Sequence, residues 1–202
     1  MSIPMRVRRS RTARVAAGLV SLASLAALAG CGSGSGSGES DGGTADRAAP
    51  APTTRFSENG VTVTLTLTDW RDSQGTLKAV FTPEEPGFHL YSTALPASGV
   101  DGVGRPTSVA VSGALQARGA LTAGSPVRSV RLPGVDTPVP VYPDGPVTTT
   151  LPVRAGAEGE ATVLLGYASC STTEGCTIPV ADRPVRLHVT EDGPAFHTPG
   201  TP

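Results

Sequence analysis

The stretch "VTVTLTLT", residues 61–68, decides the fold class. In an extended strand successive side chains point to opposite faces. Val61, Val63, Leu65 and Leu67 therefore share one side, and four threonines share the other. Apolar and β-branched residues in this alternation describe a strand packed on one face and wetted on the other.

Working outward from it, helical periodicity is nearly absent and period-two segments recur. They are "LKAVF" (77–81), "GFHLYSTAL" (87–95), "TSVAVS" (107–112), "VRSVRL" (127–132), "VPVY" (139–142), "VTTTLPV" (147–153), "EATVLLGYAS" (160–169) and "PVRLHV" (184–189). Turn chemistry separates them in "DSQG", "TPEEPG", "SGVDGVGRP", "YPDGP" and "RAGAEGE". Short strands with a turn every ten or so residues predict an all-β chain, an immunoglobulin-like antiparallel β-sandwich. The 19 prolines fit strand edges and loops better than helices. Trp70, the single tryptophan, ends the first strong strand and reads as a core or rim packing residue.

The chain has three cysteines. Cys170 and Cys176 flank "STTEG" inside "GYASCSTTEGCTIPVADRPVRLHV" (166–189). A disulfide needs Cα atoms roughly 4.4–6.8 Å apart, whereas six extended peptide steps span about 20 Å. The segment must therefore turn back on itself, and Gly175 eases the turn. A loop this short removes little denatured-state entropy, about 2–2.5 kcal/mol. A staple for stability would gain more by joining distant strands, as the inter-sheet disulfide of immunoglobulin domains does. A local pair can instead open without unfolding its hairpin, and strain in so small a ring raises the reduction potential. Spacing alone leaves both a structural staple and a redox pair open.

Residues 1–14 carry five arginines and no acid, and an almost unbroken apolar run follows to Ala29. That run is too short for a stable span and reads as a signal peptide. It ends in "LAGC" (28–31), which resembles the lipobox of bacterial lipoproteins. The resemblance implies removal of residues 1–30, lipidation of Cys31, and a protein held on the outer face of the cytoplasmic membrane. Residues 31–54, rich in glycine and serine and then in alanine and proline, are expected to be a lipid-anchored flexible linker reaching roughly 25–30 Å. Residues 55–190 suit one domain, and 191–202 are expected to be a disordered tail. Without residues 1–30 the chain holds eleven basic and seventeen acidic side chains, a balance that argues against nucleic acid.

The cysteine segment resembles the active-site hairpin of the N-terminal periplasmic domain of the thiol–disulfide interchange protein DsbD. There a tyrosine precedes a cysteine, five residues intervene, and a proline follows the second cysteine. "PGFHLYS" (86–92) is similar to that family's glycine-aromatic stretch, and "VPVYPDGPVTTTLPV" (139–153) to its tyrosine-bearing strand, turn and strand. All three occur in the family's order. The resemblance implies thiol–disulfide exchange, with Cys176 forming mixed disulfides with partners and Cys170 resolving them. Attack requires a thiolate, so a proton-handling group should lie near. Tyr91 and His89, which share one face of "FHLY", and Tyr167 are the candidates to line the site.

This chain also departs from the family. It shows no second hydrophobic span and no C-x-x-C. It is expected to act as one link of a thiol–disulfide oxidoreductase system, between a separate membrane electron donor and an extracytoplasmic acceptor. The family's aromatic cap loop corresponds to "LPGVDTPVP" (132–140), which has no aromatic, so another loop must shield the sulfurs or the cap is looser. Two other readings stand beside this one. One is a binding or accessory lipoprotein with a structural disulfide. The other is a Cu(I)-handling protein using two thiolates and a histidine, although no methionine cluster supports it. No metal site or cofactor is expected. Serine, histidine and aspartate form no nucleophile elbow, and no phosphate loop occurs.

Overall fold

A computed structural model describes residues 50–197 apart from Pro133. The expected signal peptide, Cys31 and most of the expected linker lie outside the described residues. Among the described residues there is no helix. Fifteen strands follow one another: β1 (Thr53–Glu58), β2 (Val61–Arg71), β3 (Gln74–Pro83), β4 (His89–Leu90), β5 (Ser108–Gly113), β6 (Leu115–Ala117), β7 (Thr122–Ala123), β8 (Arg128–Val130), β9 (Val139–Val141), β10 (Val147–Ala155), β11 (Gly159–Tyr167), β12 (Ser169–Ser171), β13 (Gly175–Cys176), β14 (Val180–Thr190) and β15 (Gly193–Phe196).

One sheet runs β1-β2-β3-β10-β6, with β7 also on β10, and a second runs β15-β14-β11-β5. Every strand pair is antiparallel. The first is built on two tight hairpins. Asn59 and Gly60 link β1 to β2, and Asp72 and Ser73 link β2 to β3, all four with positive φ. Two-residue turns of that hand match the twist of paired strands.

The alternation of β2 now has its explanation. Val61, Val63, Leu65 and Leu67 are buried. They meet Leu77, Ala79 and Phe81 of β3, Leu151 and Val153 of β10, and Val163, Leu165 and Leu187 from the facing sheet in one cluster. Phe81 and Tyr167 meet edge to face, their ring centroids 5.5 Å apart, a favourable geometry for two aromatic quadrupoles. Trp70 packs at the rim of this cluster, its indole close against Gly75 and Gly193, where a Cβ would come within about 3 Å of it. The antiparallel sandwich expected from the sequence is therefore the fold.

The ordered domain is longer than residues 55–190. β1 begins at Thr53, and the supposed tail contributes β15, which pairs with β14 from Leu187 to Thr190. Pro194 and Phe196 turn inward there, and Phe196 packs against the core, so the segment has apolar surface to bury. Conversely, residues 87–95 form only a two-residue strand, and Cys170 and Cys176 lie in strands of their own.

Candidate functional site

At one end of the sandwich, β13-β12-β4 form a small sheet and β8-β9 a ribbon. A bridge between Tyr91 and Val141 joins the two. Main-chain bonds reinforce that bridge: Tyr142 N–H donates to Leu90 O at 2.9 Å and Ser92 N–H to Pro140 O at 3.0 Å. The cysteine hairpin is thus the outer edge of this layer, carried on β4.

Cys170 and Cys176 are directly opposed and joined as a disulfide, with Cα atoms 4.0 Å apart. Their environments differ. Cys170 is 3% exposed and belongs to a second apolar cluster with Tyr91, Leu95, Val139, Val141 and Ala168. Cys176 is exposed, as are its neighbours Thr172 to Gly175 in the turn.

Tyr91 stands over the bond. Its hydroxyl donates toward Cys170 Sγ at 3.1 Å and lies 3.7 Å from Cys176 Sγ. Its carbonyl accepts from Thr107 Oγ1 at 2.7 Å, which fixes the backbone. Gly104, at φ +90°, passes so close that a Cβ there would sit 2.8 Å from the tyrosine ring. Only glycine meets both demands. Burial raises the Tyr91 pKa above its ordinary value, so near neutral pH the hydroxyl keeps its proton and remains a donor.

His89 is directly opposite Cys170 on β4, and directly opposed residues share a face of an antiparallel pair. Histidine and both cysteines therefore form one row across three strands. The imidazole is buried and turns its Nδ1 to Asp144 Oδ1, 3.5 Å away. Arg128 contacts the same carboxylate at 3.3 Å. Burial lowers the His89 pKa, Asp144 opposes that shift, and Arg128 adds to it. Because the folded pKa is depressed, the unfolded chain takes up the proton first as pH falls below about 6.5. The stability His89 contributes is present above that pH and is lost as pH falls toward its folded pKa. Imidazole NMR should give His89 a pKa under 6.5, and Asp144→Asn should lower it further. A rise in that variant would contradict the assigned role of the carboxylate.

Tyr167 is not brought to the sulfurs. Its ring lies in the main core against Phe81, and its hydroxyl donates to Glu58 O at 3.4 Å. Burial and the Glu58 charge push its pKa up to about 12. A residue three positions before a cysteine can face the other layer, and here Tyr167 closes β11 before the chain crosses to β12.

No family model and no curated protein matches this chain. Among solved structures, the reduced DsbD N-terminal domain of Neisseria meningitidis is similar at 11% identity, covering 73% of this chain and 90% of that one, with a TM-score of 0.39.

The shield over Cys170 comes from two segments. Leu95 is buried in its cluster, and Val100, Leu132 and Val135 pack against it half-buried. Part of the expected cap region does cover the site, with aliphatic side chains in place of an aromatic. Asp144, Arg128 and Gly104 went unrecognised in the sequence. Each sits in or beside a turn or short strand whose facing partner only the tertiary fold specifies.

Proposed function

We propose that this chain is a lipid-anchored thiol–disulfide exchange module at the outer face of the cytoplasmic membrane. It would relay electrons between a separate membrane donor and an extracytoplasmic acceptor protein. One observation carries the reading: the two sulfurs of a single edge hairpin are unequal. One is open to solvent, and the other is buried under a hydroxyl that can donate to it.

The chemistry follows from that inequality. A partner thiolate attacks Cys176 Sγ, the sulfur it can reach, and forms a new S–S bond. The old bond breaks, and its electron pair leaves on Cys170 Sγ as a thiolate. The Tyr91 O–H, already 3.1 Å away, stabilises the developing charge. A second thiol of the donor then attacks the donor's own sulfur in the mixed disulfide, which leaves the donor oxidised and Cys170 and Cys176 as a dithiol. In the acceptor step the Cys176 thiolate attacks the acceptor's disulfide, and Cys170 attacks the resulting mixed disulfide at Cys176, which releases the reduced acceptor and restores the ring. Order and placement of the motifs between Pro86 and Leu187 support this assignment, and "LAGC" supports the anchor.

A hydrogen bond to a charged sulfur contributes about 1.5–3 kcal/mol. Tyr91→Phe should therefore slow reduction by a small dithiol roughly 10- to 100-fold, in a protein whose melting temperature changes little. An unchanged rate would remove Tyr91 from the mechanism. The reading as a whole is tested by equilibrating the chain in thiol buffers of graded potential, alkylating Cys170 and Cys176, and weighing the products. A midpoint above about −300 mV supports exchange, and one well below it makes the bond structural.

A further inference from the structure

The exposed sulfur opens the segment "CTIP", residues 176–179. Thr177 is half-buried there, while Cys176 and Ile178 are both exposed. Side chains two apart in an extended segment point the same way, so Ile178 stands beside Cys176 on one surface. It is 73% exposed, more than any other large apolar side chain among the described residues. A single exposed apolar residue is ordinary on a protein surface. Ile178 differs in its place next to the sulfur and in how firmly its backbone is held.

That backbone is fixed from two sides. Thr177 N–H donates to Ser169 O at 2.8 Å, and Ser169 N–H donates to Thr177 Oγ1 at 3.2 Å. From the large sheet, Asn59 Nδ2 donates to Ile178 O at 3.1 Å. Gly60 of the same β1–β2 turn lies so close that a Cβ there would come within 3.2 Å of Thr177 Cγ2. Pro179 adds to the restraint, since a residue before proline is biased to extended backbone. The isoleucine is therefore presented on a rigid stem, and little backbone freedom remains to be lost when it is covered. Glu174 is the one charged residue from 169 to 181, so this surface offers a partner apolar contact more than a charge pattern.

We propose that Ile178 is a docking contact that selects protein partners whose reactive cysteine is flanked by apolar side chains, a role that presupposes the exchange proposed for Cys176. Covalent geometry supplies the occupant. Two cysteines in a mixed disulfide have Cα atoms roughly 4.4–6.8 Å apart. Cys176 and Ile178, two residues apart, are separated by at most about 7 Å. A polypeptide bonded to Cys176 Sγ therefore brings the residues beside its own cysteine within reach of Ile178. An apolar side chain there buries surface against the isoleucine. A polar one gives up its water for no new bond.

The test uses the full chain carrying Cys31→Ser and Cys170→Ser, which leaves Cys176 as its one thiol. Two short peptides are made, alike except that leucine or serine stands on both sides of a central cysteine. Each cysteine is capped as a mixed disulfide with thionitrobenzoate. The Cys176 thiolate attacks the peptide sulfur, a new S–S bond forms, and the coloured thiolate leaves with the electron pair of the old one. Mercaptoethanol capped in the same way, too small to cover Ile178, is the reference. Each peptide rate is divided by the reference rate of the same chain. The leucine peptide should then be favoured about tenfold over the serine peptide. Ile178→Ser should cut that preference to about twofold or less, and Ile178→Leu should keep most of it. Equal rates for the two peptides would overturn the proposal, as would a preference that survives Ile178→Ser. Either result leaves the proposed exchange standing, whereas a Cys176 that fails to react with the reference overturns both.

Discussion

Cys170→Ser leaves Cys176 as an open thiol that alkylates fast and accumulates as a mixed disulfide with an added low-molecular-weight disulfide. Cys176→Ser does neither on the same timescale. The difference should be about 100-fold or more. Cys170 is 3% exposed beneath Tyr91 and Leu95, and an opening that costs ~3 kcal/mol suppresses reaction by roughly that factor. Rates are read by mass after timed alkylation. Equal rates in the two variants would show that the sulfurs are interchangeable and would remove the basis for assigning attack to Cys176. The same Cys170→Ser chain, incubated with extracytoplasmic extract, should retain a partner through Cys176 that dithiothreitol releases.

The second large effect belongs to the sandwich. Phe81→Ala should cost about 3–5 kcal/mol, because it deletes a fully buried ring and strips Tyr167 of its edge-to-face partner. For a domain of this size that lowers the melting temperature by roughly 10–15 °C. Urea denaturation measures the loss. The midpoint potential of Cys170–Cys176 should not move, since neither cysteine belongs to the Phe81 cluster. A potential that shifts with Phe81→Ala would mean that the two layers are coupled.

Much of the sandwich is legible because apolar residues recur with the strand period wherever one face is buried. "VTVTLTLT", "VTTTLPV" and "EATVLLGYAS" all lie on strands that line the core. β1 escaped notice although Asn59-Gly60 is the strongest two-residue hairpin signal in the chain. β15 was lost for a related reason. Its four residues hold only two inward apolar side chains, beyond the Glu191-Asp192 turn, and so brief a pattern resembles tail composition.

The site was legible in part, and the limit is physical. Local spacing required Cys170 and Cys176 to face each other, and the two-residue period put His89 and Tyr91 on one side of their segment. Both follow from chain geometry within a few residues. The placing of Tyr91 over the sulfurs depends on Thr107, Gly104 and Val141, up to fifty residues away. Tyr167 shows the same limit in reverse, since proximity in sequence to Cys170 said nothing about which layer its ring would enter. Asp144 reaches His89, and Arg128 reaches Asp144, from different segments, and the sequence contains no signal of that meeting.

Everything proposed for the sulfurs requires that the hairpin open while the two sheets behind it stay packed. The direct measurement adds dithiothreitol to the native chain and follows bond opening by alkylation mass and core amide hydrogen exchange in the same sample. Full reduction, with Val63, Leu65 and Val163 keeping their protection, is the result this account predicts. A bond that yields only as those amides lose protection would contradict it.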